Sequence, residues 1–278
     1  MIKKSKKLMT RVLIYLVELF VVVISVFPIL WVISCAFKTN GEILTYPLKL
    51  PKIFSLDTFV YLFETYNFPV YFMNSILAAG ISTLVSLLFY AMGAYVLAKY
   101  EFPGRNLMFI LFTITMLVPG HSKTQPIFSL IMNLGLYDNI WGVTLVYLSA
   151  GMAMSIFVLR AGFMAVPKSL DEAATIDGAG FIRIFWSINI PLAKNALVTS
   201  GILMFLGNWN EYYYASLLTV SDSQRTLPTA LAFFTSEFSY NYTQLFAALT
   251  IVVLPGIILY CIAQEQVQAS MATSGIKG

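Results

Sequence analysis

Glu172–Asn195, EAATIDGAGFIRIFWSINIPLAKN, is a charged, glycine-broken stretch between two apolar runs, and its reading decides the fold. Pro167 ends the run before it, because proline lacks the N–H that a helix interior needs. Ser169 and Glu172 stand at capping-box spacing, so the pattern predicts a helix starting near Leu170. Asp171 and Glu172 then fall in its first turn, where the helix dipole favours negative charge. Ala173, Ala174, Ile176 and Ala179 give a face of little bulk that another surface can approach closely. Gly178 and Gly180 mark a break. Beyond it, Phe181, Ile184, Phe185 and Ile188 recur at three- and four-residue spacing, the apolar stripe of a second short helix that Pro191 closes.

The rest of the chain explains why this stretch stands out. Of 278 residues, 59% are hydrophobic and only 11% charged, with a mean hydropathy of +0.79. That leaves too little polar surface to cover a soluble domain, so the bilayer must be the solvent. The net charge of +4 is modest, and no nucleic-acid partner is expected. No G-x-x-x-x-G-K-[ST] loop occurs, so the chain is not expected to hydrolyse ATP, and no nucleophile–base constellation suggests an enzyme. Cys35 and Cys261 both lie in apolar runs, which argues against a disulfide framework. The single histidine, His121, cannot form a metal cluster.

Taken in order, residues 1–11 are a basic start, followed by a first span from Val12 to about Phe37. A cleaved signal peptide competes for this region, but the apolar run is too long for a signal core. Lys38 to about Val70 reads as an external loop carrying an amphipathic helix near Leu56–Glu64. The second span, about Tyr71–Ala98, is rich in small residues (Ala78, Ala79, Gly80, Ser82, Ser86, Ala91, Gly93, Ala94) that permit close helix packing in lipid. The third starts near Leu107 and is interrupted at Pro119–Pro126. Ending it at Pro119 would leave about a dozen residues, roughly 18 Å at 1.5 Å each, short of a ~30 Å core; a broken helix to about Leu134 is favoured. A fourth span covers about Ile140–Phe163 and a fifth about Ala193–Leu218. Ser221–Asn241 reads as an external loop and Tyr242–Ala263 as the sixth span.

Six spans put both termini on one side. With that topology, twelve basic residues (Lys3, Lys4, Lys6, Lys7, Arg11, Lys99, Arg105, Arg160, Lys168, Arg183, Lys194, Lys277) share the side of the termini and of the Glu172 loop, against five opposite (Lys38, Lys49, Lys52, Lys123, Arg225). The positive-inside rule therefore makes the termini and the loop cytoplasmic. The expected organisation is an N-terminal tail, first span and external loop (1–70), a core of five spans (71–264) containing the loop at about 167–192, and a cytoplasmic tail (265–278).

The loop resembles the EAA loop of ABC-importer permeases, the membrane subunits that dock on a cytosolic ATPase. Its E-A-A, D-G-A, Phe, Ile and Pro-Leu positions are here Glu172, Ala173, Ala174, Asp177, Gly178, Ala179, Phe185, Ile188, Pro191 and Leu192. Asn195 departs from the pattern, where a proline is common. Asn74-Ser75, Leu134-Gly-Leu, Trp141-Gly, Trp209-Asn-Glu211, Arg225-Thr-Leu-Pro228 and Gly275–Gly278 resemble the carbohydrate-uptake branch, in particular its maltose-type second permease subunit. The likeness runs from about Tyr71 to the C-terminus. The tail departs from the branch over Val267–Ser274, which weakens any inference about a tail contact with the ATPase.

The resemblance implies a type I, MetI-like importer permease: an all-α protein with six transmembrane helices in a bacterial cytoplasmic membrane. Its partners would be a second homologous permease, two cytosolic ATPases holding ATP and Mg, and an extracytoplasmic solute-binding protein. This chain itself would bind no cofactor. Glu172 would anchor in an ATPase cleft, Ala173 and Ala174 would allow close fit, and Gly178 would set the elbow. Phe185, Ile188 and Pro191 would hold the second helix to the bundle. Solute-path candidates are His121, Lys123 and Gln125 at the helix break, with Asn74, Asn210 and Glu211, since ionisable groups at membrane depth are functional hypotheses. Structural tasks compete for them: Lys123 can snorkel outward and Glu211 can cap an interface. Tyr90, Tyr95 and Tyr147 read chiefly as packing. The alternative class is an ion-coupled secondary transporter or channel, for which Glu18 is the one acidic residue well inside a span.

Overall fold

The computed structural model describes residues 2–237 and 241–275, with side chains for 10–232, 241–262 and 264. Lys277 and the end of the Gly275–Gly278 motif lie outside the described residues. Three helices among them are long and apolar enough to cross a membrane: Thr10–Cys35, Phe68–Lys99 and Tyr242–Ile262. Three bent helix pairs raise the number to six if each is one span. The chain divides into two compact units, 1–66 with 231–253 and 67–230 with 254–278.

In the first unit, α1 (Ile2–Cys35) leads into α2 (Asn40–Thr45) and α3 (Asp57–Thr65). Helix α3 falls where the amphipathic pattern placed it. Thr39 and Glu42 form a full capping box on α2, and the Thr39 N–H holds the Glu42 carboxyl below its ordinary pKa. Lys38 is buried, its ammonium donating to the Pro47 carbonyl at 2.7 Å. The Trp31 indole donates to the same oxygen at 2.8 Å and its ring meets Phe246 edge-on.

The second unit is built on α4 (Phe68–Lys99), which packs against α7 (Ile140–Leu148), α8 (Met152–Ala165) and α12 (Lys194–Trp209). Its buried face carries Ala78, Ala79, Ser82, Ser86, Ala91 and Ala94, six of the eight small residues read as packing sites. With little bulk there, backbones approach closely and dispersion replaces the hydrophobic drive that lipid cannot supply. Asn208 of α12 donates to Ser82 Oγ at 3.0 Å. Gly162 of α8 lies so near Ala196 of α12 that a Cβ would overlap the alanine methyl.

The expected third span is α5 (Arg105–Ile114), two short 3₁₀ turns and α6 (Thr124–Asn133), broken at Val118–Pro119 with a bend of 102°. The fourth also bends, by 47°, between α7 and α8. The Leu148 carbonyl at that bend accepts from Ser86 Oγ and Tyr90 OH, both at 2.6 Å, because a free carbonyl in hydrocarbon costs several kcal/mol. The fifth stops at Trp209, and α13 (Tyr213–Leu218) follows separately.

The reading of Ser221–Asn241 as a loop needs correction: α14 (Leu227–Glu237) occupies half of it. Pro228 sits in its first turn, where proline costs no hydrogen bond, and Leu227 N–H donates to Ser75 Oγ at 2.7 Å. A final helix, α15 (Tyr242–Gly275), continues past the expected end of the sixth span.

A polar clasp fixes the segment between α13 and α14. Asn74 donates to the Ser223 and Arg225 carbonyls, both at 2.9 Å, and Asp222 accepts from Asn67 and, at 2.5 Å, from Tyr71 OH. Asp138, with a left-handed φ of 53°, accepts from the Val220 and Ser221 N–H groups at 2.7 and 2.8 Å and from the Ser221 hydroxyl. These donors, the Ser221 hydroxyl first, hold its carboxyl below the ordinary 3.8. A depressed folded pKa gives stability that is complete above the unfolded value and lost as pH falls through the folded one. Asp138→Asn should therefore lower the melting temperature at pH 7 and flatten its decline below about pH 4; an unchanged acid limb in detergent melts would contradict the clasp.

Candidate functional site: the Lys168–Leu192 elbow

The elbow consists of α9 (Lys168–Ile176), α10 (Phe181–Ile184), a π-helical turn at Phe185–Asn189 and α11 (Ile190–Leu192). The expected Ser169–Glu172 capping box does not form. Pro167, extended at φ −57° and ψ 132°, is the residue before the helix and makes no side-chain cap. Ser169 is thereby already inside the helix, and Asp171 is the acidic residue of the first turn.

The other end follows the sequence closely. Gly178 has φ +78°. Its N–H donates to Thr175 O at 3.0 Å and that of Ala179 to Ala174 O at 2.9 Å, the paired bonds of a Schellman turn. Only glycine adopts this φ without steric cost. Gly180 sits at φ −76°, which any residue accepts, so one glycine sets the turn.

Helix α9 buries none of its residues. Glu172 and Ala173 are exposed, Ala174 and Ala179 half-buried. Glu172 has no hydrogen-bond or ion-pair partner among the described residues. Ile176 is 87% exposed, and Ile182 69%. Leu170, 42% exposed, is the other large apolar side chain that α9 leaves uncovered.

The second half of the elbow is anchored. Phe185 is 3% exposed, in a cluster with Tyr95, Leu159, Phe163, Val166 and Ala193. Its ring centroid lies 5.1 Å from that of Tyr95, which also meets Phe181 at 5.4 Å and Phe163 at 5.6 Å. Ile188 is half-buried, while Pro191 and Leu192 are exposed. Phe185 is thus the residue of this set that holds the elbow.

A polar junction that the sequence reading did not anticipate ties α9 to the bundle. Lys99, with its side chain 4% exposed, lies 2.9 Å from Asp171 and donates to Val166 O at 2.8 Å. Asn189, fully buried in the π-turn, donates to the other Asp171 oxygen at 2.7 Å. Removing Asp171 leaves the buried Lys99 ammonium without its counter-charge, which is destabilising. The Asn189 Oδ1 is buried without a donor among the described residues.

The solute-path candidates divide. Asn74 belongs to the clasp, and Glu211 caps α13, accepting from the Tyr214 N–H at 2.8 Å, the Ala215 N–H at 3.1 Å and Tyr147 OH at 3.0 Å. His121, Lys123, Gln125 and Asn210 are exposed. The His121 ring stands edge-on to Tyr213, 4.5 Å between centroids. Thr124 Oγ1 lies 3.0 Å from Tyr213 OH, and Tyr214 OH donates to Gly120 O at 2.9 Å, so α13 braces the α5–α6 break. Tyr90, Tyr95 and Tyr147 are all engaged in packing or hydrogen bonds to the chain itself. A cleft of about 850 Å³ lies elsewhere, in the first unit, among Lys38, Glu42, Lys52 and Asp57.

These features define a helical membrane protein with an exposed, glycine-turned elbow and a broken helix braced by tyrosines. The chain belongs to the family of binding-protein-dependent transport system inner membrane components, whose profile matches residues 91–273. It is 32% identical over 252 residues to the diacetylchitobiose uptake system permease protein of Streptomyces coelicolor, covering 90% of this chain and 83% of that protein. It is also 32% identical over 256 residues to the arabinooligosaccharides transport system permease protein of Bacillus subtilis, covering 91% and 90%. Its fold matches a chain in the crystal structure of a bacterial ABC transporter involved in import of the acidic polysaccharide alginate, with a TM-score of 0.80, 25% identity and coverage of 94% and 97%.

Proposed function

We propose that this chain is one permease half of an ATP-driven, binding-protein-dependent importer for a sugar or oligosaccharide. It spans the bacterial cytoplasmic membrane six times, the third and fourth spans being bent pairs and the fifth being α12, with both termini and the elbow in the cytoplasm. A second homologous permease completes the pathway, an extracytoplasmic binding protein delivers solute, and two ATPase subunits carry the ATP and Mg. This chain does no chemistry of its own. The observation that carries the reading is α9: a helix that buries nothing, presents Glu172 and Ile176 outward and ends in the left-handed Gly178.

In this reading Glu172 and the Ala173–Ala174 surface enter the ATPase, with Asp177, Gly178 and Ala179 shaping the turn. Phe185, Ile188, Pro191 and Leu192 carry the motion into the bundle. Closure of the ATPase dimer then biases two arrangements of the helices, which requires contacts that differ between them. The sugar specificity follows the names of the relatives. On the pathway side, exposed His121, Lys123, Gln125 and Asn210 offer hydrogen bonds to hydroxyls, and the Tyr213 ring offers an apolar face; Asn74 and Glu211 shape the wall.

Reconstitution tests this. Vesicles holding this chain alone should accumulate no oligosaccharide under a proton or sodium gradient. Adding its partner permease, ATPase and loaded binding protein should give ATP-dependent uptake. Gradient-driven uptake by the chain alone would overturn the reading in favour of a secondary transporter.

A further inference from the structure

We propose that the Lys99–Asp171–Asn189 junction is the tether that makes α9 move as one body with the membrane bundle, so that these are positioning residues for energy coupling. The inference rests on the docking role assigned to α9 above and adds what holds that helix.

Helix α9 is nine residues long with no buried residue, so no buried apolar side chain fixes its direction. Its backbone joins α8 through Pro167 on one side and α10 through the Gly178 turn on the other. A short helix held only at its ends can still swing about the line joining them. Asp171 removes that freedom. One carboxylate oxygen takes Lys99, from the last turn of α4, at 2.9 Å. The other takes Asn189, from the π-turn, at 2.7 Å. Lys99 also donates to Val166 O, at the end of α8, at 2.8 Å.

A single carboxylate on α9 is therefore tied to α4 and the π-turn, and through Lys99 to the end of α8. The Lys99 side chain is 4% exposed and that of Asp171 19%, so water and salt screen the pair little. The π-turn that places Asn189 inward is a local departure from the α-helix of the kind found at functional sites. Contiguous stiff contacts of this kind can carry coupling between sites when they join elements with two arrangements.

The test uses the full complex in vesicles and reads solute imported per ATP hydrolysed, beside assembly with the ATPase. Lys99→Met and Asp171→Asn are expected to assemble and hydrolyse ATP, with import per ATP at least about tenfold lower, while Lys99→Arg stays within about twofold of wild type. Should the single variants fail to assemble, Lys99→Met/Asp171→Met removes both charges together; it is expected to assemble and be equally uncoupled. A wild-type ratio in any assembled variant lacking the ion pair overturns the proposal. So does failure of the double variant to assemble, which would make the pair a folding element only. If wild-type protein binds no ATPase, the docking reading itself falls, a result distinguishable from every variant outcome.

Discussion

Gly178→Asp is expected to leave membrane insertion at the wild-type level and to abolish ATP-driven uptake. A Cβ at this position would meet nothing within 4 Å, so no buried packing is disturbed and the bundle should fold. The backbone, however, stands at φ +78°, where an L-residue costs roughly 1–2 kcal/mol. Relieving that strain opens the turn whose bonds to Thr175 and Ala174 set the angle between α9 and α10. The new carboxylate also adds charge beside Asp177 on the exposed side of the elbow. Gly178→Asn separates these effects, since asparagine enters the left-handed region more readily and carries no charge. It should retain part of the uptake, whereas Gly178→Val, β-branched at positive φ, should lose it. Uptake assayed in vesicles with matched protein levels checks the series; near-normal transport by Gly178→Val would mean the elbow angle is irrelevant.

Phe185→Ala should be the most destabilising single truncation in the elbow. The residue is only 3% exposed and its ring meets Tyr95, Phe163 and Trp186 at centroid separations of 5.1, 6.2 and 5.3 Å. Large-to-small changes of a buried phenylalanine cost about 3–5 kcal/mol, and each lost aromatic pair adds about 0.5–1.5 kcal/mol. Phe185→Leu keeps much of the volume and should lose less. Thermal unfolding in detergent should rank wild type above Leu above Ala. Phe181→Ala, with its ring 46% exposed, should fall near wild type; the reverse order of Phe181 and Phe185 would relocate the anchor.

What could be read in advance follows from how local each signal is. Gly178 and the apolar stripe at Phe181 and Phe185 are legible because a turn and a helical face are written within a few residues. The small-residue face of α4 is legible for the same reason, as its period survives in a single helix. Capping is local too, yet Ser169–Glu172 misleads, because Pro167 already provides the extended residue and the helix begins before the serine can cap it. Thr39–Glu42, of the same pattern but with no proline before it, forms the full box.

The Lys99–Asp171 pair was invisible, since the two residues lie far apart in the chain and each has a bland local explanation. Asn74 and Glu211 read as pathway candidates because polarity within a span says that a residue has a partner, and both have partners in the chain itself. The bend after Leu148 turns at Gly151, with φ +69°, and its freed Leu148 carbonyl is captured by Ser86 and Tyr90 from another helix. Likewise, Ser221–Asn241 reads as a loop, whereas Pro228 stands in the first turn of α14.

The central claim is that α9 faces the cytoplasm and is covered by an ATPase. A single cysteine at Ile176, 87% exposed in this chain, tests it directly in a Cys35→Ser/Cys261→Ser background. A membrane-impermeant maleimide should label Ile176→Cys in inside-out vesicles and not in right-side-out ones, and bound ATPase should suppress the labelling. Labelling from the outer face, or labelling indifferent to the ATPase, would contradict the account.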